Sequence, residues 1–196
     1  MTHALAHDHH HDADNMDIFG FWLYILSDCI LFASIFATFA VLHNNVFGGP
    51  ALKELISVPY IFAETIILLV SSFTYGMATL ALYKNRLKTV ITWLVITFAL
   101  GASFVVLEVN EFINLVHEGH TWQSSASLSS FFTLVGTHGL HVAIGLLWML
   151  VTILQLCVFK MTPAIRRRFT YLGLFWAFLD VIWIFVFTIV YLMGAI

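Results

Sequence analysis

The chain has 196 residues, of which 61% are hydrophobic and only 10% are charged, and its formal net charge is −3 at pH 7. Ordinary soluble domains contain about 25% charged residues, so this composition excludes a soluble globular protein and places most of the chain in lipid. The small negative charge also argues against a nucleic-acid partner.

Five stretches are apolar enough to cross a bilayer as helices, for which about 20 residues are needed. Residues 1–18 precede them, and the His- and Asp-rich composition of this segment predicts a disordered tail. The predicted organisation is therefore this tail followed by an all-α, five-span transmembrane domain over 19–196. The spans are predicted at 19–42, 59–83, 90–116, 126–159 and 169–196.

The basic residues between the spans predict the orientation of the chain. Three lie between the second and third spans and four between the fourth and fifth, whereas the first connection has Lys53 alone and the third has none. Because basic connections stay in the cytoplasm, the N-terminal tail is predicted to be cytoplasmic and the C-terminus periplasmic. Three consecutive arginines in the fourth connection are either candidates for an anionic-lipid site or only a topology signal: Arg166, Arg167 and Arg168.

Each predicted span carries acidic or imidazole side chains, and none carries Lys or Arg. These side chains are Asp28, Glu64, Glu108, Glu111, His138, His141 and Asp180. A charge in hydrocarbon costs several kcal/mol, so we expect these groups to face the protein interior and to be protonated, hydrogen-bonded or paired with another subunit. Counting helical rise predicts a level near mid-membrane, formed by the two aspartates and two histidines, and an outer level formed by the three glutamates.

The spacing of these residues does not favour a metal or haem site. Di-iron bundles use Glu-x-x-His pairs on facing helices, and the chain contains no such pair. A haem with two imidazole ligands needs them on opposite faces of the macrocycle, whereas His138 and His141 lie three residues apart on one helix. A proton-coupled carrier stays open, because buried acids and histidines build proton relays. No catalytic residue is predicted.

Three segments carry a resemblance to a known family. They are FGFWLYILSDCILF at 19–32, GTHGLH at 136–141 and FWAFLDVIW at 175–183. Together they resemble subunit III of the haem-copper terminal oxidases, and most closely the five-helix form found in ubiquinol oxidases. The resemblance extends over about 18–196, nearly the whole chain.

The resemblance implies an accessory subunit of a bacterial quinol oxidase, a complex that reduces oxygen to water and pumps protons. It implies that haems and copper lie in subunit I, and that this chain binds phospholipid but no redox cofactor. It also implies packing on subunit I, association with subunits II and IV, and a place in the bacterial inner membrane. The implied fold has its five helices in two groups around a lipid-filled, V-shaped cleft, and the implied role supports assembly and sustained proton uptake.

The motif match also assigns candidate positions. Asp28 lies where the family has a buried carboxylate, other family positions match His138, His141, Trp176 and Asp180, and we expect the three glutamates to belong to the same buried set. Many relatives have His directly after the tryptophan of the last span, where this chain has Ala177. Two alternatives stay open: subunit III of a cytochrome c oxidase, and a standalone proton-coupled carrier.

Overall fold

A computed structural model describes residues 2–43, 45 and 58–192 of the chain, with the side chains of 16–43, 45 and 59–191. These residues form helices and no strand. The helices are α1 (Thr2–Leu42), α2 (Val58–Tyr83), α3 (Leu87–His117), α4 (Ala126–Phe159) and α5 (Pro163–Val186), and a π-helical turn (Phe187–Leu192) follows α5. All five helices are long and apolar enough to cross a membrane, which confirms the prediction of an all-α, five-span protein.

The helices begin and end within a few residues of the predicted spans, except at the starts of α5 and α1. Helix α5 begins at Pro163 rather than at 169, because the hydroxyl of Thr162 accepts a hydrogen bond from the backbone N–H of Ile165 and the proline occupies the first turn. The three consecutive arginines therefore lie in the first turns of α5 and not in a connection. Helix α1 begins at Thr2 and so includes residues predicted as a tail, while its membrane-spanning part begins at Met16; the disorder of residues 1–18 stays a prediction.

The chain divides into two compact units, residues 1–34 and residues 35–196. In the first unit, Asp28 forms a side-chain hydrogen bond with Tyr24, one helical turn earlier. This local bond gives the aspartate of the first span a polar neighbour within its own helix. The predicted grouping of the five helices around a lipid-filled cleft stays a prediction.

The second unit contains the end of α1 and a ring of four helices, in which α2 and α4 each pack against both α3 and α5. Hydroxyl groups add hydrogen bonds across these contacts. Tyr75 on α2 donates to the backbone oxygen of Phe169 on α5 at 2.6 Å, and Tyr60 on α2 donates to the backbone oxygen of Leu107 on α3 at 3.1 Å. Since lipid provides little hydrophobic drive for helix association, packing and such bonds hold the ring together.

Candidate functional site: a buried carboxyl and imidazole cluster

Three glutamates meet inside the ring, while their predicted place near the outer face of the membrane stays a prediction. Glu64 of α2 lies close enough to Glu108 and Glu111 of α3 for their charges to interact. Glu64 is 0% exposed and Glu108 is 2% exposed. Neither carboxyl has a hydrogen-bond partner among the side chains that the structure describes. A buried group of like charges is costly in a medium of low dielectric, so this cluster requires protons, water or a group from another subunit.

A glycine on α4 makes room for the carboxyl of Glu108. A Cβ atom added at Gly139 would lie 2.6 Å from Oε1 and 2.7 Å from Oε2 of Glu108. The carboxyl therefore rests directly on the backbone of α4, next to His138 in the chain. Any side chain at this position would displace the carboxyl from the place where α3 and α4 meet.

His138 joins this cluster through an aromatic side chain of α5. The imidazole is 0% exposed, and its ring centroid lies 5.2 Å from that of Trp183 and 6.1 Å from that of Phe104. The indole N–H of Trp183 donates to the hydroxyl of Thr65 at 3.0 Å, and Thr65 follows Glu64 on α2. His138 thus lies at the level of the glutamates and not in a separate layer, so the prediction of two distinct levels is wrong for this histidine. The residue after His138, Gly139, is the one that contacts the carboxyl of Glu108.

The second histidine of the pair has a local partner. His141 is half-buried, and its Nδ1 donates to the backbone oxygen of Thr137 at 2.7 Å, one turn earlier on α4. Such a bond to the helix backbone holds the imidazole of His141 in one orientation.

Trp176 and Asp180 are both buried on α5. The indole N–H of Trp176 donates to the hydroxyl of Ser71 on α2 at 3.1 Å. One carboxyl oxygen of Asp180 has no hydrogen-bond partner in the described part of the chain. Trp176 therefore connects two helices, whereas Asp180 is a second place where the ring buries an acidic group.

The arginines lie at one end of the ring, at the start of α5. Arg166 donates to the side-chain oxygen of Asn85 in the turn between α2 and α3, and Arg168 donates to that of Gln155 on α4 at 3.2 Å. Arg167 is exposed. Two of the three arginines thus also connect α5 to its neighbours, and lipid binding by the three stays a prediction.

Three further residues complete the cluster, and the sequence did not assign them to it. They are Gly139, Trp183 and Tyr191. Tyr191, in the π-helical turn, is 0% exposed and donates from its hydroxyl to Glu111 at 3.3 Å. Glycines and aromatic residues are ordinary in membrane helices, so only the chain's three-dimensional contacts identify these three.

The chemistry available to this cluster is that of proton exchange and hydrogen bonding. Carboxyl, imidazole and phenol groups lie on α2, α3, α4 and the π-helical turn within one buried region. Among the described residues, no group of three or more His, Cys, Asp or Glu side chains is arranged to hold a metal ion. An interior of this kind is typical of proteins that handle protons within the membrane or that pack against a proton-handling partner.

Comparison with known proteins identifies the family. The family model described as "Cytochrome c oxidase subunit III" matches residues 2–195. The chain belongs to this family. The cytochrome bo(3) ubiquinol oxidase subunit 3 of Pseudomonas aeruginosa is 54% identical over 190 residues, which cover 97% of this chain and 91% of that relative.

Relatives named as subunits of quinol oxidases and relatives named as subunits of cytochrome c oxidases both match this chain over most of its length. The quinol oxidase subunit 3 of Bacillus subtilis is 44% identical over 183 residues, 93% of this chain and 90% of the relative. The cytochrome c oxidase subunit 3 of Bacillus sp. strain PS3 is also 44% identical, over 177 residues that cover 90% of this chain and 86% of the relative. The resemblance inferred from the three sequence motifs is therefore confirmed.

Proposed function

We propose that this chain is the accessory, non-redox subunit III of a bacterial quinol oxidase. In the proposed complex, haems and copper lie in subunit I, where oxygen is reduced to water and protons are pumped. This chain packs on subunit I, lies beside subunits II and IV, binds phospholipid, and sustains proton uptake by subunit I. It resides in the inner membrane with its N-terminus in the cytoplasm and its C-terminus in the periplasm.

One observation carries this proposal: the ring of helices buries protonatable side chains, namely the carboxyls of Glu64 and Glu108 and the imidazole of His138. Glu64 and Glu108 are buried on neighbouring helices, and Glu108 is seated against α4. Such an interior suits a subunit that keeps protonatable groups beside a redox partner. The 54% identity to a ubiquinol oxidase subunit supports quinol as the electron donor of the complex.

A second candidate is subunit III of a cytochrome c oxidase, and the 44% identical relative of that name supports it. The two candidates differ in the electron donor, which this chain does not contact in either proposal. The neighbouring subunit II decides between them, because a copper-binding set of Cys, His and Met residues there would serve cytochrome c.

The test is purification of the complex through an affinity tag on this chain, in mild detergent, beside an untagged strain as control. We expect a coloured preparation with haem absorption bands, containing subunits I, II and IV, that oxidises ubiquinol with oxygen and does not oxidise reduced cytochrome c. Oxidation of cytochrome c instead would establish the second candidate. A colourless chain that emerges alone and drives proton-coupled uptake in vesicles would contradict both.

A further inference from the structure

The segment that precedes the first span contains half of the histidines of the chain. Residues 3–11 include five of the ten histidines, and residues 1–18 include four aspartates. The first basic side chain in the sequence is that of Lys53, so the charge of this segment attracts cations. Imidazoles and carboxylates are ligands that divalent transition-metal ions bind in proteins. The composition therefore indicates a metal cation as the ligand of this segment.

The backbone of this segment is helical. Helix α1 begins at Thr2, whereas its membrane-spanning part begins at Met16. At a rise of about 1.5 Å per residue, residues 2–15 extend the helix by about 20 Å beyond the span. Because a helix fixes which residues are neighbours on its surface, the spacing of the histidines in the sequence assigns them to its faces.

Four metal-ligating residues occupy one diamond of neighbouring positions on this helix. Positions i, i+3, i+4 and i+7 surround a common point, and such a set forms the hole that accepts a side chain in helix packing. Counted from residue 7, these positions are His7, His10, His11 and Asp14. We call this set the histidine diamond. It combines three imidazoles with one carboxylate, which is the number and kind of ligands of a four-coordinate zinc site.

The spacing within the histidine diamond suits chelation of one ion. Residues three or four apart on a helix have Cβ atoms about 5–6 Å apart. Two histidines four apart on a helix bind the same zinc ion in the His-Glu-x-x-His motif of metalloproteases, and His7 and His11 have this spacing. His10 and Asp14 repeat it along the neighbouring row. Each row therefore provides a pair of ligands to the same point on the helix surface.

The opposite face of the helix does not have this arrangement. With 3.6 residues per turn, Asp8, His9 and Asp12 fall on that side, and the fourth position of their diamond is Leu5. That face has one imidazole against three. Among the side chains that the structure describes elsewhere in the chain, no group of three or more His, Cys, Asp or Glu could hold a metal ion. Two faces of one short segment thus provide a candidate site and its internal control.

We propose that the histidine diamond binds one divalent transition-metal ion of the class of Zn²⁺ through its three imidazoles and its carboxylate. The site lies before the first span, on the side of the membrane that the basic residues predict to be cytoplasmic. Because the ligands come from successive turns, the bound ion also links these turns and stabilises the helix ahead of the span. This site goes beyond the proposed function and does not rest on it.

The test measures Zn²⁺ binding to the full-length chain, together with the subunits that accompany it, by isothermal titration calorimetry in detergent. The affinity tag contains no histidine and is placed at the C-terminus, and bound metal is first removed from the tail with a chelator. His7→Gln and Asp14→Asn each remove one ligand of the histidine diamond. His9→Gln and Asp12→Asn are the matched controls, because they make the same chemical changes on the opposite face.

We expect the wild type to bind one Zn²⁺ per chain. His7→Gln and Asp14→Asn should each weaken binding at least about tenfold, since even the loss of an outer-shell partner of a metal costs about 10–100-fold in affinity. His9→Gln and Asp12→Asn should weaken it far less. All four changes lie outside the spans, and the haem bands of each preparation report separately whether the oxidase has assembled.

Equal weakening by His7→Gln and His9→Gln would mean that the segment chelates as a flexible chain, and it would overturn the site on the helix. Unchanged binding after His10→Gln and His11→Gln are combined would place the ion elsewhere and overturn the proposal as well. X-ray absorption at the zinc edge gives an independent check, in which we expect imidazole ligands at about 2.0–2.1 Å. A first shell of water oxygens alone would refute coordination by the histidine diamond.

Discussion

Replacement of Gly101 by alanine should destabilise the ring of helices, because this glycine lies against Trp176. A Cβ atom added at Gly101 would lie 2.8 Å from Cη2 of Trp176 and 2.9 Å from Cδ2 of Leu146. The tryptophan cannot easily withdraw. Its N–H is bonded to Ser71 at 3.1 Å, and a Cβ at Gly145 would meet its Cζ3 at 3.2 Å.

The magnitude follows from two opposing effects. Forcing an extra carbon into a packed core costs about 1–3 kcal/mol, while Gly→Ala in a helix contributes up to about 1 kcal/mol of stability. We therefore expect Gly101→Ala to lower the free energy of unfolding by about 1–2 kcal/mol. Gly76→Ala is the matched control. Its Cβ meets nothing within 4 Å, so only the favourable effect should act there.

The assay is a reversible unfolding titration with SDS in mixed micelles, followed by far-UV circular dichroism. Combining Gly101→Ala with Trp176→Phe removes the ring atoms that the new methyl group meets, so the double variant should lose less stability than the sum of the two single variants. If Gly101→Ala proves as stable as Gly76→Ala, or if the two changes simply add, the close packing inferred around Trp176 is wrong.

Three further changes test the interior. Glu108→Gln should leave the free energy of unfolding unchanged or raise it, because it removes a buried ionisable group that has no hydrogen-bond partner among the described residues. A clear loss of stability in SDS titrations that the exposed control Glu118→Gln does not show would contradict this. Trp183→Phe should cost about 1–3 kcal/mol through its lost hydrogen bond to α2 and lost ring contacts, whereas Trp122→Phe, 59% exposed, should change stability by less than about 0.5 kcal/mol. Asp28→Asn should permit assembly of the oxidase but shorten its sustained turnover in an oxygen-electrode assay; unchanged longevity would deny this carboxyl a proton-linked role.

The spans could be predicted because lipid imposes one strict requirement on sequence. A helix that crosses the bilayer must be apolar over about 20 residues, so the five stretches are visible without knowledge of any contact. The predicted start of the fifth span at 169 differs from the start of α5, because hydropathy places the arginines in a connection, whereas the cap at Thr162 and the proline after it begin the helix before them. Local capping chemistry outweighed average hydropathy at this end.

The same requirement made the ionisable residues of the site easy to identify, since an acidic side chain in an apolar span is energetically costly. It could not indicate which of them meet. Glu64 lies more than 40 residues before Glu108, and only the packing of α2 on α3 brings them together. The tyrosine that donates to Glu111 and the glycine that seats Glu108 carry no such signal, because both residue types are common in membrane helices for unrelated reasons.

The π-helical turn at Phe187–Leu192 gives the end of the chain a sensitivity to length. In such a turn the backbone bonds skip one extra residue compared with an α-helix, so it behaves as a one-residue insertion absorbed without a break. Deleting a single amino acid there would let the backbone relax to ordinary α-helical pitch and swing the phenol of Tyr191 away from Glu111. A deletion that removes no residue of the cluster would thus break the hydrogen bond between Tyr191 and Glu111 by rotating the end of the helix.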